Sequence, residues 1–287
     1  MDFINVSAMF AAAAPKAGQL LGIVMNATRS KSTAAFVRST STNVKNPLLP
    51  VSKTVITEGI HRSVVACLIR ASPDSATASG SASFPQHNTE MFFVLRAINK
   101  RDRWSGQVGF PGGHGKVGED DEAVACREVW EEVGLDLKSC EFELVGKLPD
   151  LRLDTRNRTM NVACLVYYLP PGKTIPPLNC DPKEVRAAGW APLNDLANDK
   201  VYAKKMTLEY MAQGFAETGL FYTRPDWIKR LGLMNVNFTH VELPIEDRCG
   251  GDSKTPFRLW GLTLNFVNEI FFRYTLFFLL NLSKPRF

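Results

Sequence analysis

Cysteine and histidine are scarce in this chain, with six and four copies among 287 residues. No two cysteines stand in a C-x-x-C pair, which excludes the common zinc-ribbon and dithiol frameworks. Cys67, Cys126, Cys140, Cys164, Cys180 and Cys249 are spread widely, and reduced, buried thiols of an intracellular compartment are the expectation. Long uncharged apolar runs are also missing. The segment "RLWGLTLNFVNEIFFRYTLFFLLNL" (258–282) is interrupted by Glu269 and Arg273, and its longest uncharged stretch, Tyr274 to Leu282, has nine residues. A bilayer span needs roughly 20. Internal repeats are absent too, which removes solenoid architectures.

Acid is nearly absent from the first 57 residues, where Asp2 is alone against Lys16, Arg29, Lys31, Arg38, Lys45 and Lys53. Of the chain's 34 Lys+Arg and 29 Asp+Glu, the remainder therefore holds 28 of each sign. The basic pI belongs to the leader, so the body gives no sign of a nucleic-acid-binding face. The leader is rich in Ser, Thr and Ala with scattered cations, the composition of an organelle transit peptide. Mitochondria are the expected destination, with the cytosol or peroxisome as alternatives. An apolar fraction of 45% and a charged fraction of 22% are ordinary for a globular chain.

Three parts are expected: a leader (1–57), a catalytic body (58–265) and an apolar C-terminal helix or tail (266–287). Within the body, 61–71, 91–97, 161–169 and 184–193 read as strands, being β-branched and aromatic. Helical patterns fall near 194–215 and 224–231. Val267, Ile270, Phe271, Tyr274, Phe277 and Phe278 keep helical spacing, which predicts a helix packed on the domain. Its tail is apolar enough to meet a membrane surface or a partner as well. A layered α/β or α+β domain follows.

The stretch "GGHGKVGEDDEAVACREVWEEVGL" (112–135) carries the chemistry. Asp120 and Asp121 suit a helix N-terminus and Gly134 a left-handed C-terminal position, so a helix is predicted over 121–133. At about 100° per residue, Glu131 and Glu132 flank Glu128 on one side. Ala123, Cys126, Trp130 and Val133 form an apolar opposite side, read as the anchoring face. Three carboxylates with only Arg127 as a nearby cation repel one another. A hard divalent cation relieves that, since Mg²⁺ or Mn²⁺ prefers carboxylate oxygens, waters and substrate phosphates. The preceding "GFPGGHG" loop allows backbone N–H groups close to an anion.

These residues resemble the Nudix family, whose box is G-x5-E-x7-R-E-U-x-E-E-x-G-U with U aliphatic. Gly113, Glu119, Arg127, Glu128, Val129, Glu131, Glu132, Gly134 and Leu135 fall at its positions. The resemblance implies a Mg²⁺- or Mn²⁺-dependent diphosphatase acting on a nucleoside diphosphate derivative. It also implies a mixed β-sheet sandwiched between α-helices, with the box as loop–helix–loop. It assigns Glu128 and Glu132 as metal ligands, with Glu131 contributing. Arg127 and Glu119 become a pair that orients them. The general base is either a box glutamate or an acid outside the helix, for which Glu184 is the candidate.

Within the family, "SGQVGFPGGH" and "RLWGLTLNFV" are similar to the coenzyme A diphosphatase branch. Arg96, Ala97, Arg101, Gly106 and Phe110 to Gly113 follow its signature, with one extra residue between Arg101 and Gly106. Its opening Leu-Leu-Thr is replaced by Phe92, Phe93 and Val94. Arg101 and Arg103, with Gly112 and Gly113, are the candidate substrate contacts. A different nucleoside diphosphate derivative is the alternative substrate. A catalytically silent binding module is disfavoured by the intact box carboxylates. The sequence leaves the oligomeric state open.

Overall fold

The computed structural model describes residues 48–72, 89–99, 104–154, 159–193, 203–207, 237–245, 248–251 and 256–282. Its main sheet is built on β1 (Arg62–Ala71), flanked by β2 (Thr89–Arg96) and β7 (Thr159–Leu169). Beyond them stand β8 (Val185–Pro192), β11 (Arg248–Cys249) and β5 (Glu143–Lys147), giving the order β11-β8-β2-β1-β7-β5. Three short strands attach to this path: β3 (Val108–Gly109) to β2, β4 (Gly112–His114) to β1, and β6 (Leu151–Asp154) to β7. The β1–β7 pair is parallel and the other pairs are antiparallel, so the sheet is mixed.

Central strands buried on both faces should read as continuous apolar runs, and β1 and β2 do. Alternation sorts their side chains into two cores. Val64, Ala66, Leu68, Phe92 and Val94 point toward α1 (Asp121–Val133), meeting its Val124, Ala125, Val129 and Val133. Cys67, Ile69, Met91, Phe93 and Leu95 point the other way, into a core closed by Phe266, Val267 and Ile270 of α2 (Gly261–Leu282). The expected sheet between helices is therefore present, in an α+β domain.

A second sheet, β12-β10-β9, joins β9 (Ala203–Thr207), β10 (Asn237–Leu243) and β12 (Phe257–Leu259). This corrects the helical reading of 194–215 at residues 203–207, which pair with β10 as a strand. The rest of that pattern, and 224–231, lies outside the described residues. The expected C-terminal helix is present but begins at Gly261, before the 265/266 boundary. The side chains of Tyr274, Phe277 and Phe278 lie outside the described residues. Among those described, no helix is long and apolar enough to cross a membrane. All six cysteines are free thiols, and Cys67, Cys140 and Cys164 are buried.

The folded body takes in the end of the leader, so the boundary at residue 57 falls too late. Leu48 and Ile56 are only 5% and 4% exposed. Leu49 exchanges both backbone hydrogen bonds with Lys147, each 2.9 Å. Ile56 donates its N–H to the Glu119 carbonyl at 2.8 Å and accepts from the Gly118 N–H at 2.9 Å. The strap therefore braces the loop that precedes α1. Deleting residues 1–57 is expected to lower the melting temperature well below that of a chain lacking only 1–47. Ile56→Ala in the full chain should cost about 2–4 kcal/mol, read by urea unfolding.

Candidate active site

Helix α1 has the predicted ends. Asp120 lies in extended backbone and its side chain accepts from the Ala123 N–H at 2.8 Å. Gly134, at φ 71°, donates its N–H to the Trp130 carbonyl at 3.0 Å. The orientation about its axis is the reverse of the sequence expectation. Trp130 is 59% exposed, and the buried face comprises Val124, Ala125, Glu128, Val129, Glu132 and Val133, with Asp121. Glu128 and Glu132 point into the molecule at 8% and 1% exposure.

Tertiary contacts that helical geometry alone cannot show make that burial tolerable. Glu132 Oε2 accepts from the Gly112 N–H at 3.1 Å, and Glu132 Oε1 accepts from Arg96 Nη1 at 3.2 Å. Arg127 is a hub. Its Nε and Nη2 donate to the two oxygens of Glu119 at 2.6 and 3.0 Å. Nη1 donates to Glu128 at 2.7 Å and to Glu131 at 2.9 Å, and Nη2 also reaches the His114 carbonyl at 3.0 Å. The expected Arg127–Glu119 pair thus fastens the loop to the helix. This forked, bidentate geometry is one a lysine could not supply.

The backbone requires glycine at position 112, and at position 113 any side chain would have to displace Glu128. Gly112 sits at φ +154°, and a Cβ there would lie 2.3 Å from the Val64 carbonyl oxygen. A Cβ on Gly113 would land 2.6 to 2.7 Å from the carboxylate atoms of Glu128. The loop backbone and the carboxylates are therefore in direct contact.

Glu184 joins them from a distant part of the chain. The segment before β8 docks on the end of α1, through the Asn179 N–H to the Val133 carbonyl and the Asp181 N–H to the Glu132 carbonyl, both 3.0 Å. Its other end is fixed by the Ala97 N–H, which donates to the Glu184 carbonyl at 2.8 Å. Glu128, Glu132 and Glu184 then each present an oxygen within 4.8 Å of the others. Three hard oxygen donors at this spacing suit Mg²⁺ or Mn²⁺, which prefer carboxylates and retain waters. Glu131 stands beside the trio, exposed and held by Arg127, with Lys116 Nζ 3.9 Å away. Arg101 and Arg103 lie outside the described residues. Arg96 belongs to the sequence signature without a role there; only the fold brings this strand-end residue to Glu132.

Burial pushes the Glu132 carboxyl up to about 8 from its ordinary 4.5, against the pull of Arg96 and the Gly112 N–H. Burial also raises Glu128, while the hydrogen bond from Arg127 lowers Glu119. The raised Glu132 means the folded chain holds that proton more tightly than the unfolded one. Its stabilisation is fully present below about pH 4.5 and is lost as pH rises through about 8. Chelator-treated protein is therefore expected to be less stable at pH 8.5 than at pH 5.5 by a few kcal/mol in urea unfolding. Glu132→Gln should flatten that slope. Gly113→Ala tests the contact between loop and carboxylate. Because the clash falls on the end of a flexible side chain, the variant should fold with a near-normal melting temperature while its Mn²⁺ affinity falls about tenfold or more by calorimetry.

The chain is similar in part to several known proteins. An uncharacterized protein of Schizosaccharomyces pombe is 28% identical over 192 residues, covering 63% of this chain and 55% of that protein. The chain thus spans about half the length of that relative. Solved structures aligned with it include a MutT NUDIX hydrolase from Burkholderia pseudomallei, at 22% identity and TM-score 0.31 over 48% of this chain and 86% of that one. A C. elegans Ap4A hydrolase aligns at 16% identity and TM-score 0.31 over 50% and 88%. A MutT/nudix family protein from Enterococcus faecalis aligns at 15% and 0.38 over 91% and 75%. The NUDIX domain model matches residues 81–210, a span that contains the glycine loop, α1 and Glu184.

Proposed function

We propose that the chain is a metal-dependent hydrolase of diphosphate bonds, acting on coenzyme A or acyl-CoA to release 4′-phosphopantetheine, or its acyl form, and adenosine 3′,5′-bisphosphate. The observation that carries the reaction class is the convergence of Glu128, Glu132 and Glu184 within 4.8 Å beside the glycine loop. These three would hold Mg²⁺ or Mn²⁺. When bound, such ions neutralise the diphosphate, acidify the attacking water and stabilise the leaving oxygen.

The chain's own groups do the positioning. Arg96 and the Gly112 N–H fix both oxygens of Glu132. Arg127 holds Glu128 and ties the loop through Glu119. The candidates to accept the proton of the attacking water are a box glutamate, Glu131, and the acid outside the helix, Glu184. Glu131 is exposed beside the trio, and Glu184 is its solvent-facing member. Each has the ordinary role of a carboxylate base.

The coenzyme A reading is supported by the order Arg96, Ala97, Arg101, Gly106, Phe110 to Gly113. The alternative is another nucleoside diphosphate derivative, such as a dinucleotide, a nucleotide sugar or a damaged triphosphate. A panel of these substrates with Mg²⁺ and Mn²⁺, with products separated by chromatography, decides between them. Coenzyme A should be the best substrate, and Glu132→Gln should lower its turnover by several orders of magnitude with the fold intact. Faster cleavage of a nucleotide sugar would transfer the assignment to the alternative. If Arg101 reads the 3′-phosphate, 3′-dephospho-CoA should be poorer by roughly 10- to 150-fold in kcat/KM, the equivalent of about 1.5–3 kcal/mol for one charged hydrogen bond. Arg101→Ala should then narrow the gap.

The basic leader fits import into mitochondria. A fluorescent protein fused behind residues 1–57 should co-localise with a mitochondrial dye, and a diffuse signal would reject that destination.

A further inference from the structure

Two thiols meet where the chain returns to the end of α1. Cys180 lies in the segment before β8, and Cys249 ends β11, the two-residue strand paired with β8. Their side chains are in hydrogen-bond contact. Cys180 Sγ lies 3.9 Å from the Cys249 carbonyl oxygen, and Cys249 Sγ lies 3.5 Å from the Leu178 carbonyl oxygen. Both residues are half-buried, whereas Cys67 and Cys164 are sealed in the core at 0% exposure. A groove of about 650 Å³ runs close by, lined by Pro182, two residues beyond Cys180, and by Gly251, two residues beyond Cys249. Lys183 lines the same groove and would favour an anionic reagent there.

The backbone around Cys180 also sets the carboxylates. On either side of it, the Asn179 and Asp181 N–H groups donate to the Val133 and Glu132 carbonyls, both at 3.0 Å. The Asp181 carbonyl in turn accepts from the Glu184 and Val185 N–H groups at 3.0 and 2.8 Å. A shift at Cys180 therefore reaches two members of the trio, Glu132 through its carbonyl and Glu184 through this turn.

We infer that Cys180 and Cys249 form a redox modification site, closed to a disulfide by a small disulfide of the glutathione class, and that the closed form holds a divalent cation less tightly. The effect on the cation rests on the proposed metal site, and the cross-link does not. One protein thiolate attacks the small disulfide, giving a mixed disulfide and one small thiolate. The other protein thiolate then attacks the protein sulfur of that mixed disulfide and displaces the second small thiolate. Two protein thiols are oxidised, with loss of two protons and two electrons, and one small disulfide is reduced to two thiols. Burial, with the adjacent thiol, raises Cys180, so the reduced pair is the resting form and exchange is slow.

A disulfide bond is much shorter than a contact between two thiols, so closing it draws the two segments together. The β11 side is packed against β8. A Cβ on Gly250 would lie 2.9 Å from the Arg186 carbonyl oxygen, and one on Gly251 would lie 2.8 Å from Ala187 Cβ. The Cys180 side is held by hydrogen bonds, which lengthen more readily than packed backbone compresses. Closure therefore pulls Asp181 and the Glu184 turn out of register with α1.

The test is to incubate the chelator-treated full chain with oxidised glutathione until reaction stops. Peptide mapping without reduction should join the Cys180 peptide to the Cys249 peptide, with the intact mass lower by two hydrogens. Mn²⁺ affinity by calorimetry should fall about tenfold or more, and dithiothreitol should restore it. Cys249→Ser should keep its Mn²⁺ affinity through the same treatment, and Cys126→Ser should remain as sensitive as the natural chain. The cycle of oxidation and reduction in the natural chain keeps the test independent of how well either variant folds. Glutathione adducts without the 180–249 cross-link, or a cross-link that leaves Mn²⁺ affinity unchanged, would overturn the inference. A cross-link that weakens Mn²⁺ binding in a chain that cleaves no diphosphate would uphold it and reject the diphosphatase reading.

Discussion

The burial of two carboxylates on one helix is the constraint around which this domain is arranged. Glu128 and Glu132 sit on the face of α1 that also carries Val124, Ala125, Val129 and Val133 into the core. An isolated ionised group in such a place is expensive, and removing one partner of a buried pair is worse than never having formed it. The surroundings therefore have to supply donors at fixed positions. Arg96 comes from the end of β2, the Gly112 N–H from β4, and Arg127 from the helix itself. Each donor depends on a piece of backbone that is held in turn by the sheet. Gly112 pairs with Val65, and β2 is locked between β1 and β8.

The same constraint explains why the loop has glycine where it does and why the strap at 48–57 belongs to the body. The loop must lie against Glu128 closely enough that a Cβ at Gly113 would overlap its carboxylate. A loop this close and without side chains has little packing of its own. Ile56 supplies that packing, with its Cδ1 2.1 Å from where a Cβ on Gly115 would be and its backbone bonded to Gly118 and Glu119. The Arg127 fork on Glu119 closes the loop from the other side.

Much of the domain is legible in the sequence where local physics decides. The four long strands are β-branched and aromatic runs, and helix 121–133 is bounded by its Asp120 cap and Gly134. The spacing of the box singles out Glu128 and Glu132, two of the three carboxylates that the fold brings together. What fails is any inference that needs partners from elsewhere. Repulsion counted along the helix suggests that Glu128, Glu131 and Glu132 face outward together, since Arg127 is the only cation within it. Arg96, more than 30 residues earlier, and a backbone N–H reverse that balance for Glu132 alone. Trp130 belongs to the anchor only if the apolar stripe faces the core, yet it is exposed. The short strands β3 and β4 are invisible in the sequence because "VG" and "GGH" carry no alternation to read. At 203–207, tertiary pairing with β10 overrides a weak helical period.

The division of labour between the two arginines follows from the partners each one holds. Arg127 makes several bonds at once, to Glu119, Glu128, Glu131 and the His114 carbonyl, so its geometry is over-determined. A group held in that way positions others well and is poorly placed to move with a substrate. Arg96 lies where the carboxylate face and a slot behind the glycines meet, bonded to the one and lining the other. Its bond to Glu132, at 3.2 Å, is longer than any single bond Arg127 makes to a carboxylate. Arg96 thus ties the carboxylate trio to the slot behind the glycines, while Arg127 ties the helix to the loop.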